Sequence, residues 1–266
     1  MCNIGTMSTN KGTKINQLLS TFPGERVFIS SWLVGIGYSL DLQKRYKQSG
    51  WLESIGHGAL IRSGDQVTVE DGIRSLQFQL GMTIHPGGKS ALSMQGKAHY
   101  LEFSRSKLDI FGATKEKLPS WFIKHNWGLT IRYHSSSFLP PKVGLTTVEA
   151  GRQELGVSNP ARAMMECLYL APEKQELIEC YEMMESLNAL NPKQVQSLLE
   201  KCRSIKVKRL FLFMAEKADH GWVKYLNLKN IDLGRGKRSL IRGGVYNQKY
   251  MITLPRALEE HGQRTI

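Results

Sequence analysis

Residues 27–65 read VFISSWLVGIGYSLDLQKRYKQSGWLESIGHGALIRSGD, and this stretch decides the fold of the N-terminal part of the chain. Ser30 or Ser31 can cap a short helix, because a serine hydroxyl accepts a hydrogen bond from the free N–H groups of a first helical turn. Gly35 and Gly37 end this helix after about two turns, since glycine readily adopts the conformation that follows a helix. The stretch therefore begins with a short helix and a glycine turn.

A second helix is predicted directly after this turn. Ser39 can cap its N-terminus, and Gly50 ends it. Between them, Leu42 and Tyr46 stand four residues apart, so they share one face of the helix. The pattern up to this point is helix, turn, helix.

Two short extended runs follow the second helix. They cover residues 52–55 and 59–62, and Gly56-His57-Gly58 joins them as the turn of a β-hairpin. Two helices followed by a hairpin form a winged helix-turn-helix, in which the second helix enters the major groove and the hairpin contacts the flanking backbone. The N-terminal sequence therefore predicts a winged helix-turn-helix domain.

The second helix and the hairpin carry side chains that suit DNA. Lysine and arginine neutralise phosphate, while arginine and glutamine have forked groups that read base edges. The predicted DNA-binding residues are Ser39, Gln43, Lys44, Arg45, Lys47, Gln48, His57 and Arg62. The alternative interpretation is a solvated helix face beside an ordinary hairpin, because basic and amide residues are common on exposed helices.

The overall charge also indicates a polyanionic partner. The 266 residues include 36 Lys and Arg against 23 Asp and Glu, a formal charge of +13, and 41% apolar residues suffice for a packed core. Residues 203–266 alone hold 14 basic and 5 acidic side chains. Such a field attracts nucleic acid, and the alternative is general basicity that serves solubility.

The C-terminal excess is concentrated around a glycine-interrupted loop. A surface selected only for solubility would mix both signs, whereas a run of one sign fits a polyanion. The predicted basic cluster consists of Lys206, Arg209, Arg235, Lys237, Arg238 and Arg242. The alternative here is a solvated loop.

The remaining pattern predicts an α+β protein with two domains, a winged-helix DNA-binding domain over residues 1–95 and a mixed α/β domain over residues 96–266. Helices are predicted over residues 69–80 and 88–94, and Asn159-Pro160 and Asn191-Pro192 mark two further helix starts. The second domain begins with a β-rich layer, continues with helices and ends in a basic hairpin near residue 255. The predicted strands of the β-rich layer cover residues 100–103, 108–111, 121–123 and 129–133.

The sequence contains no recognisable set of catalytic or metal-binding residues. The seven histidines are scattered, and none stands two to four residues from another. Gly88-Lys89-Ser90 matches the end of a phosphate loop, but Thr83 replaces its first glycine, which favours a plain helix start. We expect no enzyme activity, no metal, no cofactor and no membrane span, and four widely spaced cysteines indicate thiols in the cytoplasm.

Three motifs give the chain a family resemblance. They are GWLESIGHG at residues 50–58, HPGGKSAL at residues 85–92 and KLPSWF at residues 117–122, and they occur in a shared order that runs on to the C-terminal hairpin. In this order the chain resembles the antitoxin and transcriptional regulator of bacterial AbiE-type, or type IV, toxin–antitoxin systems. The resemblance extends over nearly the whole chain.

The resemblance implies a repressor that binds inverted repeats in its own promoter through the N-terminal domain. It further implies a C-terminal antitoxin domain that opposes a nucleotidyltransferase-like toxin without a stable complex between the two. One departure concerns the hairpin tip, where His57 replaces the arginine or lysine of related sequences and is mostly uncharged at neutral pH.

A different class of function remains open beside this one. The basic C-terminal third can bind RNA or mask the toxin's substrate without promoter binding. An aromatic platform would favour RNA, but Trp222, Tyr225 and Tyr246 lie within apolar patterns and are predicted to be core.

Overall fold

The computed structural model describes residues 14–97, 106–151 and 153–260. Its helices are α1 (Lys14–Thr21), α2 (Ser30–Gly35), α3 (Leu40–Gln48), α4 (Val69–Leu80), α5 (Gly88–Met94), α6 (Ser120–Lys124), α7 (Pro160–Leu170), α8 (Leu177–Glu185), α9 (Pro192–Lys201), α10 (Ile205–Lys217) and α11 (Arg256–Glu260). Its strands are β1 (Val27–Ile29), β2 (Leu52–Gly56), β3 (Ala59–Arg62), β4 (His85–Pro86), β5 (Lys107–Gly112), β6 (Thr130–Ser135), β7 (Leu145–Ala150), β8 (Gln153–Ser158), β9 (Arg238–Ser239), β10 (Val245–Asn247) and β11 (Ile252–Leu254). The predicted α+β class is confirmed.

The described chain folds into two compact units. The first contains residues 14–80 and 118–125 with positions 151 and 153, and the second contains the other described residues. Strand β4 and helix α5 precede residue 95 but belong to the second unit, because α5 packs against α7. The division at residue 95 therefore stays a prediction about which part of the chain folds alone.

A small apolar core holds the first unit together. Strand β3 lies between β1 and β2, and both pairs are antiparallel, with Val27 opposite Ile61. Tyr46 of α3 packs against this core as a partly buried residue. The fully buried members come from α1, β1, α2 and the β2–β3 hairpin and are Ile15, Leu18, Phe28, Leu33, Leu52 and Leu60.

Of the two helix caps predicted for the first unit, one is confirmed and one is wrong. The Oγ of Ser39 accepts a hydrogen bond from the N–H of Leu42 at 3.3 Å, so the cap of α3 is confirmed. The cap of α2 is wrong, because Ile29 occupies the cap position without a side-chain bond and Ser30 is already helical. Ser30 instead donates its hydroxyl proton to Gln43 Oε1 at 2.6 Å, a contact with a residue far along the chain.

The hairpin of β2 and β3 turns at Gly56-His57-Gly58, as the sequence predicts. Gly58 has φ of 91° and Gly56 has φ of 152°, and side chains other than glycine rarely adopt either value. A Cβ on Gly56 would also lie 2.8 Å from the Cβ of Trp121. The turn therefore needs glycine at both positions.

The strand predicted over residues 121–123 is wrong, because these residues lie in helix α6. The carbonyl of Pro119 accepts hydrogen bonds from the N–H groups of Phe122 (3.1 Å) and Ile123 (3.2 Å), which closes a single helical turn. Trp121 and Phe122 are buried in the first unit. A three-residue apolar run fits a strand and a buried helical turn equally well, so its hydrophobic pattern does not distinguish the two structures.

Small sheets form one part of the second unit. Strand β5 pairs in parallel with β6 and antiparallel with β4, while β11 pairs antiparallel with β10 and in parallel with β9. The strands predicted over residues 108–111 and 129–133 and the terminal hairpin are confirmed. Strands β7 and β8, which pair with each other, were not among the predicted strands. The strand predicted over residues 100–103 lies outside the described residues.

Helices α7 to α10 form the other part of the second unit. Asn159 and Asn191 accept hydrogen bonds from N–H groups of the following helical turn, so both predicted caps are confirmed. Helix α7 is buried along nearly its whole length, and α5, α8, α9 and α10 pack around it. Within the described residues, no helix combines the length and the apolar composition that a bilayer crossing requires.

Candidate nucleic-acid interface

Helix α3 has one face toward the core and one toward solvent. Gln43 is 3% exposed, and Leu42 and Tyr46 are half-buried. Basic groups in the last turn suit the partial negative charge of a helix C-terminus. The exposed side chains include four predicted DNA-binding residues, Lys44, Arg45, Lys47 and Gln48.

Gln43 corrects the sequence prediction, because its side chain points into the protein. Its Nε2 donates to the carbonyl oxygens of Ser30 (3.1 Å) and Tyr38 (2.8 Å), and its Oε1 accepts from the Ser30 hydroxyl. A primary amide has two donor hydrogens, so none remains for a base edge. Gln43 thus joins α3 to α2 and the intervening turn, and it does not read DNA.

Two exposed residues at the start of α3 were missing from the predicted interface. Leu40 is 66% exposed, and Asp41 is exposed beside it. The helical spacing of four places Leu40 near Lys44 and Asp41 near Arg45 on the outer surface. Leucine can contact a thymine methyl group, and a carboxylate can accept a hydrogen bond from cytosine. In helix-turn-helix proteins the N-terminal residues of the recognition helix contact bases, so applying that rule to α3 would have added both residues to the candidates.

The hairpin places its two predicted contact residues in solvent. His57 is exposed at the tip, and Arg62 is exposed at the end of β3. The hydroxyl of Ser54 donates to the carbonyl of Gly56 at 2.9 Å, which ties the strand to its own turn. Over the described ranges, neither Arg62 nor the cations of α3 form a salt bridge, so their charges are available to a ligand.

The C-terminal basic cluster divides into exposed and buried members. Four of its six residues carry exposed side chains on the loop before β9 and around the sheet of β9, β10 and β11. These four are Arg235, Lys237, Arg238 and Arg242. The other two are Arg209, which is buried, and Lys206, which is half-buried.

Arg209 is fully buried, and its guanidinium binds main-chain carbonyls. It donates to the oxygens of Leu233 (2.8 Å), Gly234 (3.2 Å), Gly236 (2.9 Å) and Met251 (2.9 Å). Because these bonds hold the loop and the residue before β11, Arg209 supports the exposed members of the cluster from the interior, and its burial removes it from the exposed surface.

Lys206 is half-buried on α10. Its Nζ donates to the carbonyl oxygen of Tyr169 at 3.0 Å and to that of Ala171. Burial lowers the pKa of this lysine below its ordinary value. Its ammonium group anchors α10 to the end of α7, and its predicted contact with a polyanion stays a prediction.

The aromatic residues of the C-terminal third also differ from prediction. Trp222 is 5% exposed and donates its indole N–H to the carbonyl of Leu187, so its assignment to the core is confirmed. Tyr225 is 69% exposed and Tyr246 is 38% exposed, so both assignments to the core are wrong. Each ring has one lysine ammonium over one of its faces, and both rings remain exposed.

Glu166 forms a buried charged centre in the second unit that sequence reasoning did not find. Its carboxylate accepts hydrogen bonds from Arg162 Nε (2.8 Å), Ser158 Oγ (2.7 Å) and Gly88 N (2.9 Å), and His85 Nε2 lies 3.1 Å away. Burial raises the pKa of this carboxyl, but hydrogen bonds and charge from His85 and Arg162 outweigh burial and lower the pKa to about 2. Both carboxylate oxygens are occupied, so the centre is structural.

The glycine-lysine-serine segment behaves as a helix start, as predicted. Helix α5 begins at Gly88, and the Lys89 ammonium pairs with Glu179. In the part of the chain that the structure describes, no group of His, Cys, Asp or Glu side chains is arranged to hold a metal ion.

Two family models match the chain in consecutive ranges. One, described as a transcriptional regulator, AbiEi antitoxin N-terminal domain, matches residues 11–103. The other, described as a transcriptional regulator, AbiEi antitoxin, type IV TA system, matches residues 105–255. The chain belongs to the AbiEi antitoxin family. The resemblance inferred from the sequence motifs is therefore confirmed.

The fold of this AbiEi-family protein is similar to a solved structure. The crystal structure of the RV2827C protein from Mycobacterium tuberculosis aligns with a TM-score of 0.56 at 14% identity, over 89% of this chain and 89% of that chain. At this identity the similarity supports the fold alone. A search of curated proteins finds no significant match.

Proposed function

We propose that this AbiEi-family protein represses its own promoter by binding inverted repeats of double-stranded DNA. The observation that carries the proposal is the outer face of α3, where unpaired cations stand beside an exposed hairpin in the N-terminal domain of a regulator family. In this proposal α2, α3 and the hairpin act as a winged helix-turn-helix, with α3 in the major groove.

The exposed residues divide between phosphate and base contacts. Lys44 and Lys47 meet phosphates, while Arg45 and Gln48 read base edges. Ser39 supports the interface indirectly by capping α3. Arg62 contacts the flanking backbone, and His57 lies at the exposed tip of the hairpin.

We further propose that the second domain carries antitoxin activity against a nucleotidyltransferase-like toxin in the cytoplasm. The family description supports the antitoxin role. In this proposal the protein acts as a regulator without catalysis, and it neutralises the toxin without a stable complex.

The test of promoter binding replaces Lys44, Lys47 and Arg45 together with alanine. Each neutralised phosphate contributes about 0.9 to the slope of log affinity against log salt, so removing up to three of these cations from the interface flattens the slope by as much as about 2.7. Fluorescence anisotropy with the promoter duplex over a salt series measures it.

A matched control replaces three exposed lysines of the second unit, Lys115, Lys117 and Lys142, with alanine. It removes the same charge from a surface outside the proposed interface and should leave the slope near the wild-type value. Equal salt slopes in the wild type and the α3 variant would show that α3 does not contact the operator.

A further inference from the structure

A continuous basic segment of the second unit contains two strands, β9 and β10, of the sheet that they form with β11. Residues 234–249 contain five Lys and Arg and no Asp or Glu. Lys249 is neutralised by Glu216 at 2.7 Å. The remaining four cations are Arg235, Lys237, Arg238 and Arg242, and none of them forms a salt bridge within the described residues. We name Arg235, Lys237, Arg242 and Tyr246 the terminal basic surface, and Arg238, which pairs with Ile252 on the other face of the sheet, is not part of it.

Tyr246 supplies an aromatic face within this surface. It is 38% exposed on β10, and the Nζ of Lys237 lies 4.9 Å from the centre of its ring. Paired residues of neighbouring strands point to the same face of a sheet. The register pairs Tyr246 with Thr253 and Thr253 with Ser239, so a phenol ring and two hydroxyl side chains follow one another across three strands.

The opposite face of the sheet is buried along its central strand β11, while Arg238 of β9, which pairs with Ile252 and so shares this face, is exposed at the edge. Ile252 and Leu254 of β11 are fully buried, and Arg209 holds the carbonyls of the loop and of Met251 from the interior. The aromatic ring and the charges therefore stand on a backbone that is fixed from below. A fixed platform loses less conformational entropy when it binds than a free loop does.

We propose that the terminal basic surface binds single-stranded RNA. Exposed aromatic rings stack on bases and neighbouring cations follow the phosphates, which is the combination found in proteins that bind single strands. Duplex DNA keeps its bases stacked on each other and offers no free base face to Tyr246. The three cations of this surface alone would accept either nucleic acid, so the aromatic ring is what favours a single strand.

The hydroxyl groups beside the ring favour RNA over single-stranded DNA. Ser239 donates its proton to the carbonyl of Ile241 at 2.6 Å, which leaves its oxygen free to accept. A ribose 2′-hydroxyl can donate to such an oxygen, and deoxyribose cannot. This binding goes beyond the promoter proposal, because it uses none of the residues of α3.

The test measures anisotropy of a short fluorescein-labelled oligo(U) with the full-length protein. Replacing Tyr246 with alanine should weaken oligo(U) binding roughly tenfold, because one base no longer stacks on the protein. Tyr246→Phe keeps the ring and should restore the wild-type affinity. Promoter-duplex binding should stay unchanged in both variants.

Two further variants keep the test decisive. Tyr225→Ala removes an exposed tyrosine that also lies under a lysine, at 5.2 Å from Lys224, but outside the terminal basic surface, and it should have no effect. Lys237→Glu should weaken oligo(U) binding and reduce its salt slope, by about 0.7 for each phosphate that the protein no longer neutralises. Thermal melts that match the wild type exclude misfolding as the cause.

The proposal is overturned by any of three results with folded proteins. These are absence of oligo(U) binding in the wild type, unchanged binding in Tyr246→Ala, or an equal loss of affinity in Tyr225→Ala. Oligo(dT) that binds as tightly as oligo(U) overturns the assignment to RNA. Failure of the promoter proposal would appear separately, in the α3 variant on duplex DNA.

Discussion

Glu166 is a charged group in the interior of the second unit, and four neighbouring groups determine its ionised state. Folding lowers its pKa from 4.5 to about 2. A carboxyl whose pKa is lowered by folding stabilises the native state fully above 4.5, and this stabilisation is lost as pH falls toward 2. The second unit should therefore unfold more readily in acid.

Replacing Glu166 with glutamine should lower the free energy of unfolding by about 3 kcal/mol at neutral pH, because Arg162 is left buried without its counter-charge. The variant should also lose part of the acid dependence. Urea unfolding at neutral and acidic pH measures both effects. Glu154→Gln, at an exposed position of β8, is the control and should match the wild type. An identical pH profile in the wild type and the Glu166 variant would contradict this role.

Two glutamines of α3 have different environments, and the sequence alone does not distinguish them. Gln43 and Gln48 were both assigned to DNA, yet Gln43 is buried and Gln48 is exposed. The difference arises from Ser30 and Tyr38, whose carbonyls receive the Gln43 amide. These partners depend on how α2 packs, and no pattern within α3 contains that information.

The turn between α2 and α3 depends on the same amide. Replacing Gln43 with leucine should lower the free energy of unfolding by about 1–3 kcal/mol, since two main-chain carbonyls lose their partner. Promoter affinity should fall as the position of α3 relaxes, but the salt slope should stay constant because no exposed charge changes. Denaturant unfolding and the anisotropy salt series measure these effects. A slope that flattens as in the α3 alanine variant would return Gln43 to the contact residues.

Elements with their own end signals could be predicted from the sequence, and elements without such signals could not. The cap of Ser39 and the two asparagine-proline pairs determined helix starts, and α4 and α5 have their predicted bounds. Helix α6 has a single turn and an apolar sequence, so only its burial in the first unit decides its form.

In the whole molecule, the first unit includes residues 118–125, which lie far along the chain from its main segment. Trp121 and Phe122 are 3% and 0% exposed within it. A fragment of residues 1–95 lacks both side chains but keeps the apolar core around Leu33 and the exposed face of α3. We expect it to bind the promoter, to melt below the first unit of the full chain and to give no protection from the toxin.

Circular dichroism melts, anisotropy with the promoter duplex and a toxin-rescue assay examine the three expectations. The full chain with Phe122→Ala is the companion variant, and burial of this ring predicts that its free energy of unfolding falls by about 3–5 kcal/mol. A fragment that stays unfolded, or one that rescues cells, contradicts the proposed division of labour.

The binding of the Arg209 guanidinium by four main-chain carbonyls affects how the protein responds to truncation. One of its four partners is Met251, in the last part of the described chain. A protease that trims the chain from its C-terminus past this residue, or a ribosome that stops before it, leaves a buried cation on α10 with an incomplete set of acceptors. A chain shortened before Met251 should therefore unfold and be degraded more readily than the full-length protein.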